Sequence, residues 1–184
     1  MAQSWRVQSR RPPRARPALD PAALEQLALG YAGRYATSRA KLAGYLRRKL
    51  SERGWAGEGD PPIASIVARF VDLGYVDDRA LADAKGRALG ARGYGERRLA
   101  MTLGGLGIGE ADATDARRQA IDDGWATALR FAERKRIGPF AERIADEKSR
   151  HRAFGAMMRA GHSVDHTRRI LAAAPGDVPP RDDD

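Results

Sequence analysis

One helix stops and another starts within a single short stretch, Phe70-Val-Asp-Leu-Gly-Tyr-Val-Asp-Asp-Arg-Ala-Leu-Ala82. Apolar residues enter this stretch at the spacing of one helix face: Ile63, Ile66, Val67, Phe70 and Val71. Gly74 favours a helix end, because glycine adopts the left-handed backbone conformation at little cost. Asp77 offers an N-cap and Asp78 a first-turn acid for the next helix. The stretch therefore predicts a joint between two helices, with Tyr75 and Val76 as an apolar plug.

The rest of the chain repeats this alternation of apolar helical stripes and turn residues. Helix starts are predicted at Asp20–Pro21, Ser38, Asp60–Pro61–Pro62, Asp122–Asp123 and Ser163, and stops at Gly54, Gly93–Tyr94–Gly95, Gly138–Pro139 and Gly161. Ser38, Gly95 and Ser149 each open an apolar face spaced by four residues, and these starts lie 57 and 54 residues apart. This periodicity predicts three similar middle helices, each with a helix before and after it.

These patterns predict an all-α fold, an elongated array of three tandem three-helix repeats with disordered termini. The predicted segments are a basic arm over residues 1–20, repeats over residues 21–77, 78–122 and 123–174, and an acidic tail over residues 175–184. Both ends combine charge and proline with little to bury, which is typical of disordered segments.

Composition limits the possible functions. The chain has 184 residues, a net charge of +9 and a pI near 10.4, which favours acidic partners and most simply nucleic acid. It has no cysteine, so disulfides and thiolate metal sites are excluded and a reducing, cytoplasmic setting is expected. Its three histidines are poorly spaced for a metal site, and no apolar run approaches membrane-spanning length. We expect no cofactor, no metal and no membrane association.

The positive charge is concentrated in two places. Residues 34–53 hold seven basic residues and one acid, whereas residues 78–123 hold eight of each. Residues 124–174 hold eleven basic residues and five acids. A basic helix face can be an ordinary solvated surface, but the near absence of acids over residues 34–53 favours contact with phosphate.

Three sequence motifs carry a resemblance to a known family. They are Ser38-Arg-Ala-Lys-Leu42, Leu73-Gly-Tyr-Val-Asp-Asp-Arg-Ala-Leu-Ala82 and Gly95-Glu-Arg-Arg-Leu99. With them, the chain over residues 22–174 resembles the RecX family, regulators of the RecA recombinase. The chain departs from the family pattern at Lys41, which replaces an acid, and in a first middle helix that is one turn longer. His162 and Thr167 replace an aromatic residue and an isoleucine, which we expect to weaken the core of the third repeat.

The resemblance implies a non-enzymatic modulator of RecA. RecX proteins are elongated, curved helical arrays that bind the RecA–DNA filament along its groove and suppress ATP hydrolysis, strand exchange and co-protease activity, and so modulate DNA repair and the SOS response. The expected partners of this chain are the RecA nucleoprotein filament and, weakly and without sequence preference, single-stranded DNA, and the expected state is a monomer. The candidate contact residues are Arg34, Arg39, Lys41, Arg47, Arg48, Lys49, Arg53, Arg97, Arg98, Arg150, Arg152 and Arg159.

Two other classes of protein fit parts of the sequence. Short helices with glycine turns also occur in stand-alone nucleic-acid-binding proteins with helix-turn-helix modules. Such a module reads base edges, whereas the basic helix over residues 39–53 offers mainly arginine and lysine, which suit phosphate. A purely structural scaffold is the third class, and it predicts no salt-dependent affinity for DNA.

Overall fold

A computed structural model of the chain describes residues 16–181, and α-helices make up most of that part. Its helices are α1 (Pro21–Ala32), α2 (Arg39–Arg53), α3 (Ile63–Asp72), α4 (Asp78–Ala91), α5 (Glu96–Leu106), α6 (Glu110–Asp122), α7 (Gly124–Lys135), α8 (Glu147–Ala160) and α9 (Val164–Ala172), with one 3₁₀ turn, Gly138–Phe140. No β-strand forms within these residues, and one isolated bridge pairs Leu19 with Trp55. The all-α prediction is confirmed. Most of the predicted basic arm, and the last three residues of the acidic tail, lie outside the described residues.

Local capping chemistry explains where several helices begin. The side chains of Asp20, Ser38, Asp77 and Ser163 each accept a hydrogen bond from the backbone amide three residues ahead. These predicted starts are confirmed. The left-handed backbone of Gly161 (φ 93°) likewise ends α8 as predicted.

Three joints lie where the sequence predicts them and differ from the prediction in detail. The sequence predicts a helix from about Ala141 or Asp146 to Ala160, and α8 begins after Asp146, whose side chain caps it by accepting a hydrogen bond from the Ser149 amide at 2.7 Å; Ser149 therefore lies inside the helix rather than at its cap. α7 begins directly after the predicted Asp122–Asp123, but the Asp123 carboxylate does not cap it and accepts instead from the side chain of Gln119 at 2.9 Å. At the joint after α3, Val76 is fully buried but Tyr75 is 52% exposed, so Val76 alone fills the plug position.

The described residues bury three separate clusters of apolar side chains. The first lies among α1, α2 and α3, the second among α4, α5 and α6, and the third among α7, α8 and α9. These groups coincide with the helices of the three predicted repeats, although the number of repeats and the elongated shape stay predictions. Leu19 belongs to the first cluster and is fully buried, so packing begins before the boundary predicted at residue 21.

The three middle helices meet end to end. At the first contact, the Ser38 hydroxyl at the start of α2 donates to the carbonyl of Leu106 at the end of α5. At the second, the amide of Gly95 at the start of α5 donates to the carbonyl of Ala160 at the end of α8, at 2.9 Å. Each contact satisfies terminal backbone groups that a helix cannot pair internally. The chain thus joins neighbouring helix groups through helix ends as well as through side faces.

Candidate nucleic-acid and protein interface

The densest basic surface lies on α2. Lys41 and Arg47 are exposed, and neither pairs with a carboxylate among residues 16–181. Arg48 and Lys49 share the carboxylate of Glu52, at 3.6 Å and 2.6 Å. The hydrogen bond from Lys49 lowers the pKa of Glu52, so this acid stays ionised at neutral pH. The α2 surface therefore keeps a positive excess, because one acid faces several cations.

Three tyrosines stand beside these cations. The ring of Tyr31 stacks on that of Tyr45, with centroids 4.2 Å apart and planes 13° apart, and Tyr35 lies 5.4 Å from Tyr31. Together they line a surface groove of about 610 Å³, here called the tyrosine groove, with three of the predicted contact residues: Arg34, Arg48 and Lys49. The structure thus brings these cations from α2 and from the loop before it onto one aromatic surface.

Two predicted contact residues on α2 are committed to contacts within the chain. The guanidinium of Arg39 pairs with Asp78 at 3.1 Å and with Asp112, so it joins α2 to α4 and α6. The Nε of Arg53 donates to the carbonyl of Pro17 at 2.9 Å. Both side chains hold the fold together and are less available to an acidic partner than Arg47 or Lys41.

The two predicted contact residues on α5 differ in their surroundings. Arg97 has an exposed side chain, and its backbone amide donates to the carbonyl of Gly161 at 3.3 Å. The guanidinium of Arg98 lies 5.9 Å from the ring centre of Tyr94, a ring that two more cations approach, Arg92 at 5.3 Å and Arg134 at 5.5 Å. Sequence reasoning missed this cluster, because its members come from three separate segments.

A second basic surface lies on α8. Arg150 and Arg152 line a groove of about 1,100 Å³ between α8 and α9, here called the α8–α9 groove. Two more cations, Lys148 and Arg168, and two acids, Asp146 and Glu147, also line it. Arg159 is also exposed on α8 but does not line this groove. Sequence reasoning missed Arg168, which reaches the groove only because α9 packs against α8.

The two basic surfaces lie in different helix groups. The tyrosine groove belongs to α1, α2 and the loop between them, and the α8–α9 groove to the last two helices. In the middle group, several acids lie in ion pairs, such as Asp115 with Arg79 and Glu96 with Arg117 at 2.6 Å. This geometry can hold phosphate or carboxylate at two separated places.

The described residues show neither a metal site nor a membrane span. Within residues 16–181, no three His, Asp or Glu side chains come together in a group that could hold a metal ion. No helix in the same part of the chain combines the length and apolar character that crossing a bilayer requires.

Comparison with known proteins identifies relatives that span most of the chain. No family model matches the chain. It is 30% identical over 167 residues to the regulatory protein RecX of Myxococcus xanthus (strain DK1622), which covers 85% of this chain and 88% of the relative. It is 32% identical to the regulatory protein RecX of Mycobacterium sp. (strain KMS), over 76% of each chain.

Solved structures show the same fold. The crystal structure of RecX from Lactobacillus salivarius matches with a TM-score of 0.59 at 18% identity, over 83% of this chain and 94% of that one. A second crystal structure, of a regulatory protein RecX, matches with a TM-score of 0.58 at 19% identity, over 83% of this chain and 71% of that one. Because the sequence similarity extends over most of both chains and the helical fold is shared, this chain belongs to the RecX family of regulatory proteins.

Proposed function

We propose that this protein binds the RecA nucleoprotein filament and inhibits RecA ATP hydrolysis, strand exchange and co-protease activity, and so modulates DNA repair and the SOS response. It acts by binding, as a monomer, and carries out no reaction of its own. The observation that carries this proposal is the pair of separated basic surfaces, on α2 and on α8, in a chain of the RecX family. A filament groove offers DNA phosphate and acidic protein side chains along its length, which complements such a pair.

Two separated surfaces suit a long partner better than a compact one. Each surface alone is an exposed basic patch, for which weak, salt-dependent binding is expected. When both belong to one semi-rigid helical chain, binding of the first raises the effective concentration of the second. The end-to-end contacts of α8 with α5 and of α5 with α2 support this mechanism, because they fix the spacing between the surfaces.

The test is the ATPase rate of RecA on single-stranded DNA, measured with increasing amounts of this protein. We expect the rate to fall as the protein occupies the filament, and strand exchange and co-protease activity to fall over the same concentration range. An ATPase rate that stays unchanged when the protein is in excess over RecA would contradict the proposal.

A stand-alone single-strand-binding protein is the second candidate, and the tyrosine groove favours it. Such a protein would lower RecA activity only by competing for DNA, so added DNA would restore the activity. Inhibition through the filament persists when free DNA is added after the filament has formed. This order-of-addition experiment separates the two candidates.

A further inference from the structure

We infer that the tyrosine groove is a stacking site for one base of single-stranded DNA, with Tyr35 as the platform and Arg34, Arg48 and Lys49 holding the adjoining phosphates. This inference rests on the DNA-binding side of the proposed function and specifies how that contact is made. It assigns a role to three tyrosines whose spacing alone indicates only an apolar helix face.

The backbone that carries Tyr35 is anchored at the end of α1. The backbone amides of Arg34 and Tyr35 both donate to the carbonyl of Tyr31, at 3.2 Å and 3.1 Å, which fixes the chain where it leaves α1. Behind Tyr35, the ring of Tyr31 is held against that of Tyr45 in a parallel stack. Stacking of a base here therefore costs little conformational entropy, because the backbone of the site is already ordered.

Tyr35 is also open to solvent. Its exposed fraction is 59%, so much of its surface is free for a ligand. Exposed aromatic rings beside cations are the usual platform for single strands, because every base has a π-face and every link a phosphate. The groove volume of about 610 Å³ lies within the range of roughly 300–1,000 Å³ that is typical of ligand sites.

The charge of the groove favours an anion. Three of the residues that line the groove are cations, and no acidic residue lines it. Glu52 approaches Arg48 and Lys49 but does not line the groove, so it partly neutralises these cations without occupying the site. Removal of this acid should therefore tighten binding.

The combination of groups selects among acidic ligands. An acidic peptide would use the cations but would gain little from an open tyrosine ring. Duplex DNA keeps its bases inside the helix, where a surface ring cannot stack on them. A single strand offers both a free base and phosphates, so it is the ligand that uses all of these groups.

The experiment compares two probes of equal length and charge, a short oligothymidylate and the same backbone with abasic sites, by fluorescence anisotropy with the full chain. The parent protein should bind the thymidylate more tightly. Tyr35→Leu should weaken thymidylate binding at least about five-fold and leave abasic binding unchanged, since one stacked base contributes about 1–3 kcal/mol and about 1.4 kcal/mol is a ten-fold change. Tyr35→Phe, which keeps the ring, should retain the preference.

Two further variants complete the design. Tyr75→Leu removes another half-exposed tyrosine, one outside the groove, and should bind both probes as the parent does. Glu52→Gln should tighten binding of both probes. Circular dichroism establishes that each variant is folded. A parent protein that binds the two probes equally, or a Tyr35→Leu variant that keeps the preference, overturns the inference.

The outcome is separable from that of the proposed function. A protein that inhibits RecA but shows no base preference retains the proposed function and loses this site. A protein that loses its base preference through Tyr35→Leu but never inhibits RecA retains the site and loses the proposed function. Free thymidine nucleotide, added as a competitor, shows whether a single nucleotide suffices, and we expect strong competition only from the oligomer.

Discussion

Asp78 accepts two hydrogen bonds from Arg39, one from its backbone amide at 2.9 Å and one from its Nε at 3.1 Å. The amide is the first of α2 and has no partner within its own helix, so the start of α2 is satisfied by a carboxylate on α4. Asp78 is only 5% exposed. The hydrogen bond with Asp78 raises the pKa of Arg39 above its usual value.

This pair predicts that Asp78→Ala is strongly destabilising. The change leaves the Arg39 amide without its partner and removes a charge-assisted hydrogen bond, so we expect the free energy of unfolding to fall by about 2–3 kcal/mol. Urea denaturation followed by circular dichroism measures the loss.

Asp77→Ala is the matched control. Asp77 is the neighbouring acid and caps α4 through the Ala80 amide at 2.8 Å, so its removal should cost only about 1 kcal/mol. Equal losses for the two variants would show that Asp78 acts only as a first-turn acid.

Glycine at position 95 is required by a close approach of two backbones. A Cβ at Gly95 would overlap the carbonyl oxygen of Gly161, at the contact of α5 with α8. The φ of Gly95 is −87°, which any residue adopts, so the effect of Gly95→Ala isolates the overlap from backbone strain. We expect Gly95→Ala to destabilise the protein by more than about 1 kcal/mol, as overpacking typically does.

Gly105→Ala serves as the comparison for this prediction. Gly105 lies inside the same helix, and nothing would lie within 4 Å of its added Cβ. Alanine there should stabilise the protein by about 0.5–1 kcal/mol through its higher helix propensity. If both substitutions shift the urea midpoint in the same direction, the close approach at Gly95 does not control stability.

The helix caps and the contacts between helices differ in how far sequence alone could predict them. Caps such as Ser38 and Asp77 are predictable, because a cap bonds to an amide only three residues away. The role of Asp78 was not predictable, since it depends on a helix 39 residues earlier in the chain. The tyrosine groove escaped prediction for the same reason, because α1 must pack on α2 before Tyr31 meets Tyr45.

His162 should make the protein sensitive to acid. The residue is 2% exposed, and its Nε2 lies 3.1 Å from the carbonyl oxygen of Gly93, which can only accept, so Nε2 carries the proton. Nδ1 is buried without a partner among the described residues. Burial lowers the pKa of His162 to about 4, well below the usual value of 6.5, because the charged ring cannot be solvated.

The sign of the pH effect follows from that shift. Between pH 6.5 and about 4 the unfolded chain binds a proton at His162 that the folded protein excludes. The stability is therefore complete above pH 6.5 and falls as the pH is lowered, by up to about 3 kcal/mol for this residue. His166, whose pKa is also lowered by burial, adds to the effect in the same direction.

His162→Phe tests the assignment of this acid sensitivity to His162. Phenylalanine cannot titrate and removes the unpartnered Nδ1, while it keeps a ring against Phe131, whose centroid lies 5.4 Å from that of His162. The difference in unfolding free energy between neutral and mildly acidic buffer should be smaller in the variant than in the parent. The assignment fails if both proteins lose the same stability over this pH range.

Binding of free single-stranded DNA should depend on salt. If the α2 surface neutralises about four phosphates, the logarithm of the association constant should fall with the logarithm of salt concentration at a slope of roughly −3. Titrations at several salt concentrations measure this slope. An affinity independent of salt would exclude a phosphate contact, and strong preference for one duplex sequence would favour a base-reading module instead.

The last prediction concerns how the two basic surfaces act together. If the protein lies along the filament groove, inhibition of RecA requires both surfaces at once. Charge reversal of Arg47, Arg48 and Lys49 to glutamate should abolish most inhibition of the RecA ATPase. Reversal of the α8 set, Arg150, Arg152 and Arg159, should do the same in a separate variant, because the gain from effective concentration is lost with either surface.

The α8 variant is the decisive one. A protein that acts by binding DNA through α2 and the tyrosine groove does not need α8, so this variant would then inhibit as well as the parent. A control reverses Lys85 and Arg87, two cations of the balanced middle helices that pair with no carboxylate among residues 16–181, and should leave most inhibition intact. Apart from Lys49 and Lys85, which are partly buried, the altered side chains are exposed, so circular dichroism should report the parent's helical content in all three variants. If the folded α8 variant inhibits RecA as strongly as the parent, the two surfaces do not act together and the groove model is wrong.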